Sequence, residues 1–163
     1  RKEEEETIAK VKQADNTDIR YQSWEQVLAY FSQSENSLYN NISPKTDHWL
    51  SSATGISQCT YHLIFLQKAI RVDIEFARKD AVENKRLFDF FYARKNEIEH
   101  KFGQPLEWLR LDAKKSSRIE FILNTDGHNQ DLWQSHIAWH LEHIQKLEQA
   151  FKPYMNEAYQ VIK

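Results

Sequence analysis

The sequence predicts an α+β domain, a mainly antiparallel five-stranded sheet packed with three long helices. Two patterns carry this prediction: three segments repeat apolar residues every three to four positions, and five shorter segments alternate apolar and polar residues. Their order along the chain is α-βββ-α-ββ-α. The strands within each group are joined by short connections, which favour antiparallel pairing with the helices packed on the sheet.

The first helix is expected to begin after Asp18, because aspartate is a common N-cap. Its apolar face consists of Tyr21, Trp24, Val27, Leu28 and Phe31. Residues 1–18 are charged and have almost no apolar periodicity, so we expect a linker end or a solvated helix there. This divides the chain into a charged linker or residual connector at 1–18 and a single α+β domain at 19–163.

The remaining elements follow in order. The segments "DHWLSSATG", "CTYHLIFLQ" and "AIRVDIEFA" predict three strands, the last two joined in a hairpin around Gln67 and Lys68. A second helix is expected over about 80–102, because Gly103 can provide a left-handed C-terminal cap. "LEWLRL" and "SRIEFIL" predict two more strands, and the last helix is expected over about 131–152, where Pro153 should kink or end it.

Composition narrows the class of protein. A single cysteine, Cys59, excludes an internal disulfide and fits a reducing, cytoplasmic compartment, and no apolar run is long enough to cross a membrane. The net charge is −2, but residues 78–118 hold 11 of the 22 Lys and Arg against 7 of the 24 Asp and Glu. This basic region predicts either an anionic partner such as nucleic acid or an ordinary solvated surface.

Three histidines in "SHIAWHLEHI", namely His136, His140 and His143, stand on neighbouring turns of the last helix. Three imidazoles can hold a catalytic zinc ion. However, Ile137 follows His136 at the position where the HExxH pattern of zinc proteases requires glutamate, and His140 lies within the apolar stripe. We therefore expect a half-buried histidine cluster rather than a metal site, and no cofactor.

A group of charged residues is predicted on one face of the sheet. Arg71, Asp73 and Glu75 project from one side of their strand, and Arg118 and Glu120 from one side of a later strand. The group can be interpreted as a divalent-metal site for phosphodiester hydrolysis, but the lysine that such centres typically place two residues after the second acid is absent. The alternatives are a cross-strand ionic ladder and a polar face that contacts a ligand or partner.

The turn "DAKKSSR" groups Lys114, Lys115 and Arg118, with Arg110 just before it. A basic hairpin tip can contact phosphates, although an ordinary exposed loop has the same composition. Arg94 falls in the apolar stripe of the second helix and is expected to extend to solvent or pair with a sheet acid. Glycine-rich phosphate loops, GxSxG elbows and CxxC pairs do not occur in the sequence.

The stretch "PLEWLRLDAKKSSRIEF" resembles a bacterial family catalogued as domain of unknown function 4268, which carries a "PLEW" segment, a short basic turn and a "SRI" strand. The resemblance covers about residues 20–155 and includes "YQSWEQVLAYF", "HWLSSATG", "IRVDIEF", "LFDFFYARKNEIEHKFG" and "WQSHIAWHLEHIQKLEQAFKP". It implies a C-terminal module of longer bacterial proteins whose N-terminal part resembles a restriction-type nuclease. It implies no catalytic residues, but Arg71, Trp108, Arg118 and Trp139 lie in the recurring motifs.

These observations predict a non-catalytic accessory module of a bacterial nuclease-like protein, which aids nucleic-acid binding or domain assembly. The basic 78–118 region would contact the nucleic acid, and the N-terminal nuclease-like domain of the parent protein would be the protein partner. One alternative is a protein-interaction module that forms a homo-oligomer. Another is a metal-dependent enzyme that uses the three histidines or the sheet acids.

Overall fold

A computed structural model describes the backbone of residues 2–163 and the side chains of residues 3–4 and 16–163. Five antiparallel strands form one open sheet in the order β1-β2-β3-β5-β4. The strands are β1 (Trp49–Ala53), β2 (Cys59–Phe65), β3 (Ala69–Phe76), β4 (Glu107–Leu109) and β5 (Ser117–Asn124). The predicted α+β architecture with a five-stranded antiparallel sheet is confirmed.

All the packed helices lie on one face of this sheet. They are α1 (Lys2–Ser32), α2 (Ala81–Tyr92), α3 (Lys95–Phe102), α4 (Trp133–Phe151) and α5 (Met155–Gln160). Helix α4 contacts β2 and β3, α2 contacts β3 and β5, and α1 and α3 pack against α4. The core lies between the two layers and is rich in aromatic rings, such as the stacked pair Phe76 and Phe91, whose centroids are 5.5 Å apart.

The first helix begins earlier than the sequence indicated. Helix α1 starts at Lys2 and continues through Asp18, so the prediction that Asp18 caps it is wrong. Of the predicted linker, Arg1 and the side chains of residues 2 and 5–15 lie outside the described residues. Trp24 is fully buried, and its indole N–H donates to the carbonyl oxygen of Asp47 at 2.8 Å, so α1 is fixed to the segment before β1.

The helix predicted over 80–102 is two helices, because the chain leaves helical geometry at Arg94. Its φ and ψ are −110° and 18°, and its backbone N–H donates to Phe91, three residues back, rather than to Phe90. The Arg94 guanidinium takes over the Phe90 carbonyl at 2.9 Å and contacts the carboxylate of Glu157 in α5 at 3.6 Å. Of the two alternatives predicted for Arg94, pairing with a sheet acid is therefore wrong.

The predicted start and end of the second helical region are confirmed. The Asp80 carboxylate accepts from the backbone N–H of Val82 at 2.8 Å, and Gly103 adopts the left-handed C-cap conformation with φ of 97°. Helix α4 ends at Phe151, and Pro153 lies in a 3-10 turn (Lys152–Tyr154) that leads into α5. The chain thus resumes helical structure after the proline, which the sequence did not predict.

The hairpin between β2 and β3 turns at Gln67 and Lys68, as predicted. Neither residue favours a tight turn, and a segment distant in sequence supports the turn instead. The backbone N–H groups of Gly127 and Thr125 donate to the carbonyls of Gln67 and Lys68 at 2.8 and 3.1 Å. A Cβ atom at position 127 would lie 1.9 Å from the carbonyl oxygen of Leu66, so only glycine permits this approach.

Candidate binding site on the open face of the sheet

The face of the sheet opposite the helices is lined largely by polar and charged side chains, and we call it the open face. The strand register brings the predicted sheet charges together there. Asp73 lies opposite both His62 and Glu120, and Glu75 lies opposite Arg118. A polar outer face on an antiparallel sheet with one covered face follows the usual alternation. Arg71, Asp73, Glu75, Glu120 and Arg118 thus form one cluster on neighbouring strands.

Asp73 is the centre of this cluster. It is only 1 % exposed although it lies on the open face, because neighbouring side chains cover it. One carboxylate oxygen accepts from His62 Nδ1 at 2.7 Å, and the other accepts from Arg71 Nε at 3.2 Å. A carboxylate withdrawn from water needs such partners, because an unpaired buried charge would cost several kcal/mol.

Glu120 has the same arrangement in the next strand. It is 7 % exposed and accepts from Arg118 Nε at 2.7 Å, and the same oxygen lies 3.8 Å from Nη1 of Arg71. The two arginine side chains are more open, at 17 % and 26 % exposure. The carboxylates therefore form an inner layer, and the guanidinium groups that they orient form an outer layer.

His62 of β2 makes a second hydrogen bond, to Thr60 of the same strand. Thr60 Oγ1 lies 3.0 Å from His62 Nε2. In the neutral ring, Nδ1–H donates to Asp73, so Nε2 accepts from the threonine hydroxyl. This hydroxyl–imidazole–carboxylate chain fixes the orientation of the ring.

A pocket of about 360 Å³ lies over these groups. His48 and Trp49, at the start of β1, line it together with His62, Arg71 and Arg118, and Asp73, Glu75 and Ile64 complete the lining. Burial lowers the pKa of His48, and the nearby Arg20 and Arg71 guanidinium groups lower it further. His48 is therefore neutral near pH 7, and the fixed positive charges of the pocket come from its two arginines.

A family model described as a domain of unknown function (DUF4268) matches residues 19–155. The chain belongs to the DUF4268 family. No curated protein and no solved structure matches the chain in the corresponding comparisons. The motifs "IRVDIEF" and "SRI" lie on β3 and β5, so they carry Arg71, Asp73, Glu75 and Arg118 of the open face.

The four basic side chains in and beside the turn of this DUF4268 domain do not form one cluster. Arg110 binds the carboxylates of Asp89, at 2.9 Å, and of Asp112. Arg118 lies on the open face with Glu120, and of the four predicted anion contacts Lys114 and Lys115 are the exposed pair at the hairpin tip. The structure therefore separates the four side chains, because Arg110 lies on the helix side of the hairpin and Arg118 on the opposite side.

Lys85 of α2 organises the same hairpin from the helix side. Its ammonium donates to the backbone carbonyls of Arg110, Leu111 and Ser116 at 2.6, 2.9 and 2.8 Å, and to the Ser117 hydroxyl at 2.9 Å. Burial lowers the pKa of Lys85. The sequence gives no signal for this role, because nothing in the local pattern distinguishes a lysine that binds inward from a solvated one.

The three histidines of α4 are buried, and their ring nitrogens bind separate groups. His136 pairs with the Thr125 hydroxyl at 3.0 Å, His140 donates to the Ile64 carbonyl at 3.1 Å, and His143 donates to a carbonyl one turn earlier at 2.8 Å. Burial lowers the pKa of all three, that of His140 to about 4. Among the described side chains, no group of three or more His, Cys, Asp or Glu is arranged to hold a metal ion.

Two further features of this DUF4268 domain concern its helices and its cysteine. Within residues 2–163, no helix combines the length and apolar character needed to cross a bilayer. Cys59 is buried in β2, and burial raises the pKa of its thiol to about 11. The thiol is therefore protonated near neutral pH and packs as a small apolar side chain.

Proposed function

We propose that this DUF4268 domain is an accessory module of a cytoplasmic bacterial nuclease-like protein, and that it contacts nucleic acid through the open face of its sheet. The observation that carries the proposal is the pair Arg71 and Arg118, which buried carboxylates hold in place beside a pocket. The nuclease-like partner and the bacterial origin come from the family resemblance.

Stability alone is a poor explanation of this cluster. Replacing buried ion pairs with apolar residues of similar volume is often neutral or stabilising, so a fold seldom needs them. Here Asp73 and Glu120 are withdrawn from water and each holds an arginine whose outer edge remains accessible. This is the arrangement expected of a binding site in which supporting groups orient the contacting groups before the ligand arrives.

In a nucleic-acid partner, the backbone phosphate is the group that Arg71 and Arg118 would bind. A guanidinium group matches the geometry of phosphate oxygens and remains charged at all physiological pH values. Lys114 and Lys115 add two exposed positive charges in the turn that leads directly into Arg118 and β5. Contacts to phosphate would contribute affinity but no specificity for the base sequence, as suits an accessory module.

The proposal is tested by fluorescence anisotropy of a labelled DNA duplex that carries a single-stranded overhang. We expect binding at low salt that weakens as salt rises from about 50 to about 200 mM. With about three phosphate contacts, the logarithm of the association constant should fall with a slope of about −2 to −3 against the logarithm of salt concentration.

Charge reversal identifies the face that binds. Arg118→Glu should weaken binding by at least about tenfold and reduce the salt slope by about one, since each phosphate contact contributes about that much. Lys152→Glu makes the same charge change at an exposed position in the turn after α4, and it should leave binding unchanged. The proposal fails if no DNA binds at low salt, or if the two variants are equally weakened.

A protein-interaction module that forms a homodimer is the second candidate, and apolar side chains on the open face favour it. Trp49, Ile64 and Ile122 lie in one row across the sheet, with Arg71 between the two isoleucines, and Ile122 is 37 % exposed. Apolar side chains beside a charged cluster are typical of protein interfaces. Light scattering on the purified chain would show a homodimer if a second copy covers this row, and Ile122→Lys would dissociate it.

A further inference from the structure

We propose further that the open face takes single-stranded rather than duplex nucleic acid, with one base stacked on Trp49 and the adjacent phosphate held by Arg71 and Arg118. This inference rests on the nucleic-acid function proposed above and names the form of nucleic acid that the same site binds. It follows from the position of Trp49 relative to the two arginines.

Trp49 is placed beside the arginine pair by the sheet register. Trp49 lies opposite Ile64, and Ile64 lies opposite Arg71, so the indole and the first guanidinium are two strands apart, about 9.5 Å between backbones. Both side chains line the pocket, with Arg118 beyond them. An aromatic ring and a phosphate-binding group that face one pocket form the minimal unit of single-strand recognition.

Neighbouring groups hold the Trp49 ring and leave it partly open. The His48 ring contacts it edge to face, with centroids 4.8 Å apart and planes at 77°. The Lys45 ammonium lies 4.5 Å from the ring centroid, and it also contacts the Asp47 carboxylate at 3.5 Å. Because Lys45 is an exposed cation on a flexible side chain, a stacking base can displace it toward the neighbouring phosphate.

Base stacking on Trp49 would favour single-stranded over duplex nucleic acid. In a duplex both faces of each internal base are already stacked, so Trp49 could contact only the backbone or an end. A single strand can unstack a base onto the ring, and such contacts contribute about 1–3 kcal/mol for each base.

Glu75 determines where in the pocket a phosphate can lie. Asp73 and Glu120 are buried beneath neighbouring side chains and paired with arginines, whereas Glu75 is partly exposed on the pocket wall and lies opposite Arg118. Its charge repels an anion at that end of the pocket. The phosphate should therefore lie between the two guanidinium groups, on the Trp49 side of Arg118 and away from Glu75, and Glu75→Gln should tighten binding severalfold.

The experiment compares labelled single-stranded oligothymidine with a duplex of the same length, using fluorescence anisotropy at one low salt concentration. The unmodified chain should prefer the single strand by at least about tenfold. Trp49→Ala should weaken single-strand binding by about 5- to 100-fold, and Trp49→Phe should restore most of it. The matched control is Tyr92→Ala, which removes an exposed aromatic ring, 50 % exposed, from α2 on the other face of the sheet.

Each outcome has a fixed meaning. Single-strand preference that is lost in Trp49→Ala, kept in Trp49→Phe and unaffected in Tyr92→Ala supports the inference. Equal binding of duplex and single strand, or an unchanged affinity in Trp49→Ala, overturns the inference while leaving the proposed function in place. Absence of binding to both forms overturns the proposed function as well. Circular dichroism of each variant confirms that it is folded, and Glu75→Gln provides a test by gain of affinity.

Discussion

His140 should make the stability of this domain depend on pH. The imidazole is buried in the core, where it stacks with Trp24 at 6.2 Å and donates to the Ile64 carbonyl. Burial lowers its pKa from 6.5 to about 4, while the Ile64 and Arg71 backbone groups oppose the shift. Because the folded pKa is below the unfolded one, acid protonates the unfolded chain first. Stability is complete above pH 6.5 and falls as the pH drops from 6.5 toward 4.

The size of the effect follows from the two pKa values. One pKa unit corresponds to about 1.4 kcal/mol, so His140 alone would remove about 3 kcal/mol of unfolding free energy once the pH is below both values. Between pH 7 and pH 5 the same linkage gives a loss of about 2 kcal/mol. The lowered pKa values of His136 and His143 act with the same sign.

Urea unfolding at a series of pH values, followed by tryptophan fluorescence, measures this loss. His140→Gln keeps a donor for the Ile64 carbonyl and removes the titrating group, so its free energy of unfolding should fall by about 2 kcal/mol less than that of the unmodified chain between pH 7 and pH 5. His100→Gln, at an exposed position of α3, is the matched control and should follow the unmodified chain. A constant difference between His140→Gln and the unmodified chain across this range would refute the reasoning.

Three further substitutions test individual contacts that stabilise the fold. Gly127→Ala should lower the free energy of unfolding by at least about 2 kcal/mol, measured by urea unfolding, because its methyl group would overlap the Leu66 carbonyl. Lys85→Met should cost about 2–4 kcal/mol, since three carbonyls of the β4–β5 hairpin lose a charged donor. Hydrogen exchange should then show faster exchange in that hairpin before other strands. Asp73→Asn should cost about 3 kcal/mol in thermal or urea unfolding, because it leaves Arg71 without its buried counterion. An unchanged stability in any one of them would contradict the contact on which it rests.

Local sequence patterns were sufficient to predict most of the helices and strands. The alternation in "AIRVDIEFA" predicted both the strand and the side on which each residue lies, because successive strand residues point to opposite faces. The glycine cap signal at Gly103 placed one helix end correctly. The N-cap signal at Asp18 failed, since an aspartate that is able to cap a helix is also tolerated within one. The break at Arg94 was missed, because a side chain that captures a backbone carbonyl leaves no pattern in the sequence.

The sequence by itself determined which residues alternate, which helices are amphipathic and which charges lie on the outer side of each strand. Only the tertiary structure decided which charges meet. Asp73 and Glu120 are 47 positions apart and become neighbours through the β3–β5 register, and His62 joins them from β2. Long-range register depends on how the whole sheet packs on α2 and α4, so no local pattern contains it. The same packing turned Lys85 inward and divided the basic turn between two sides of the sheet.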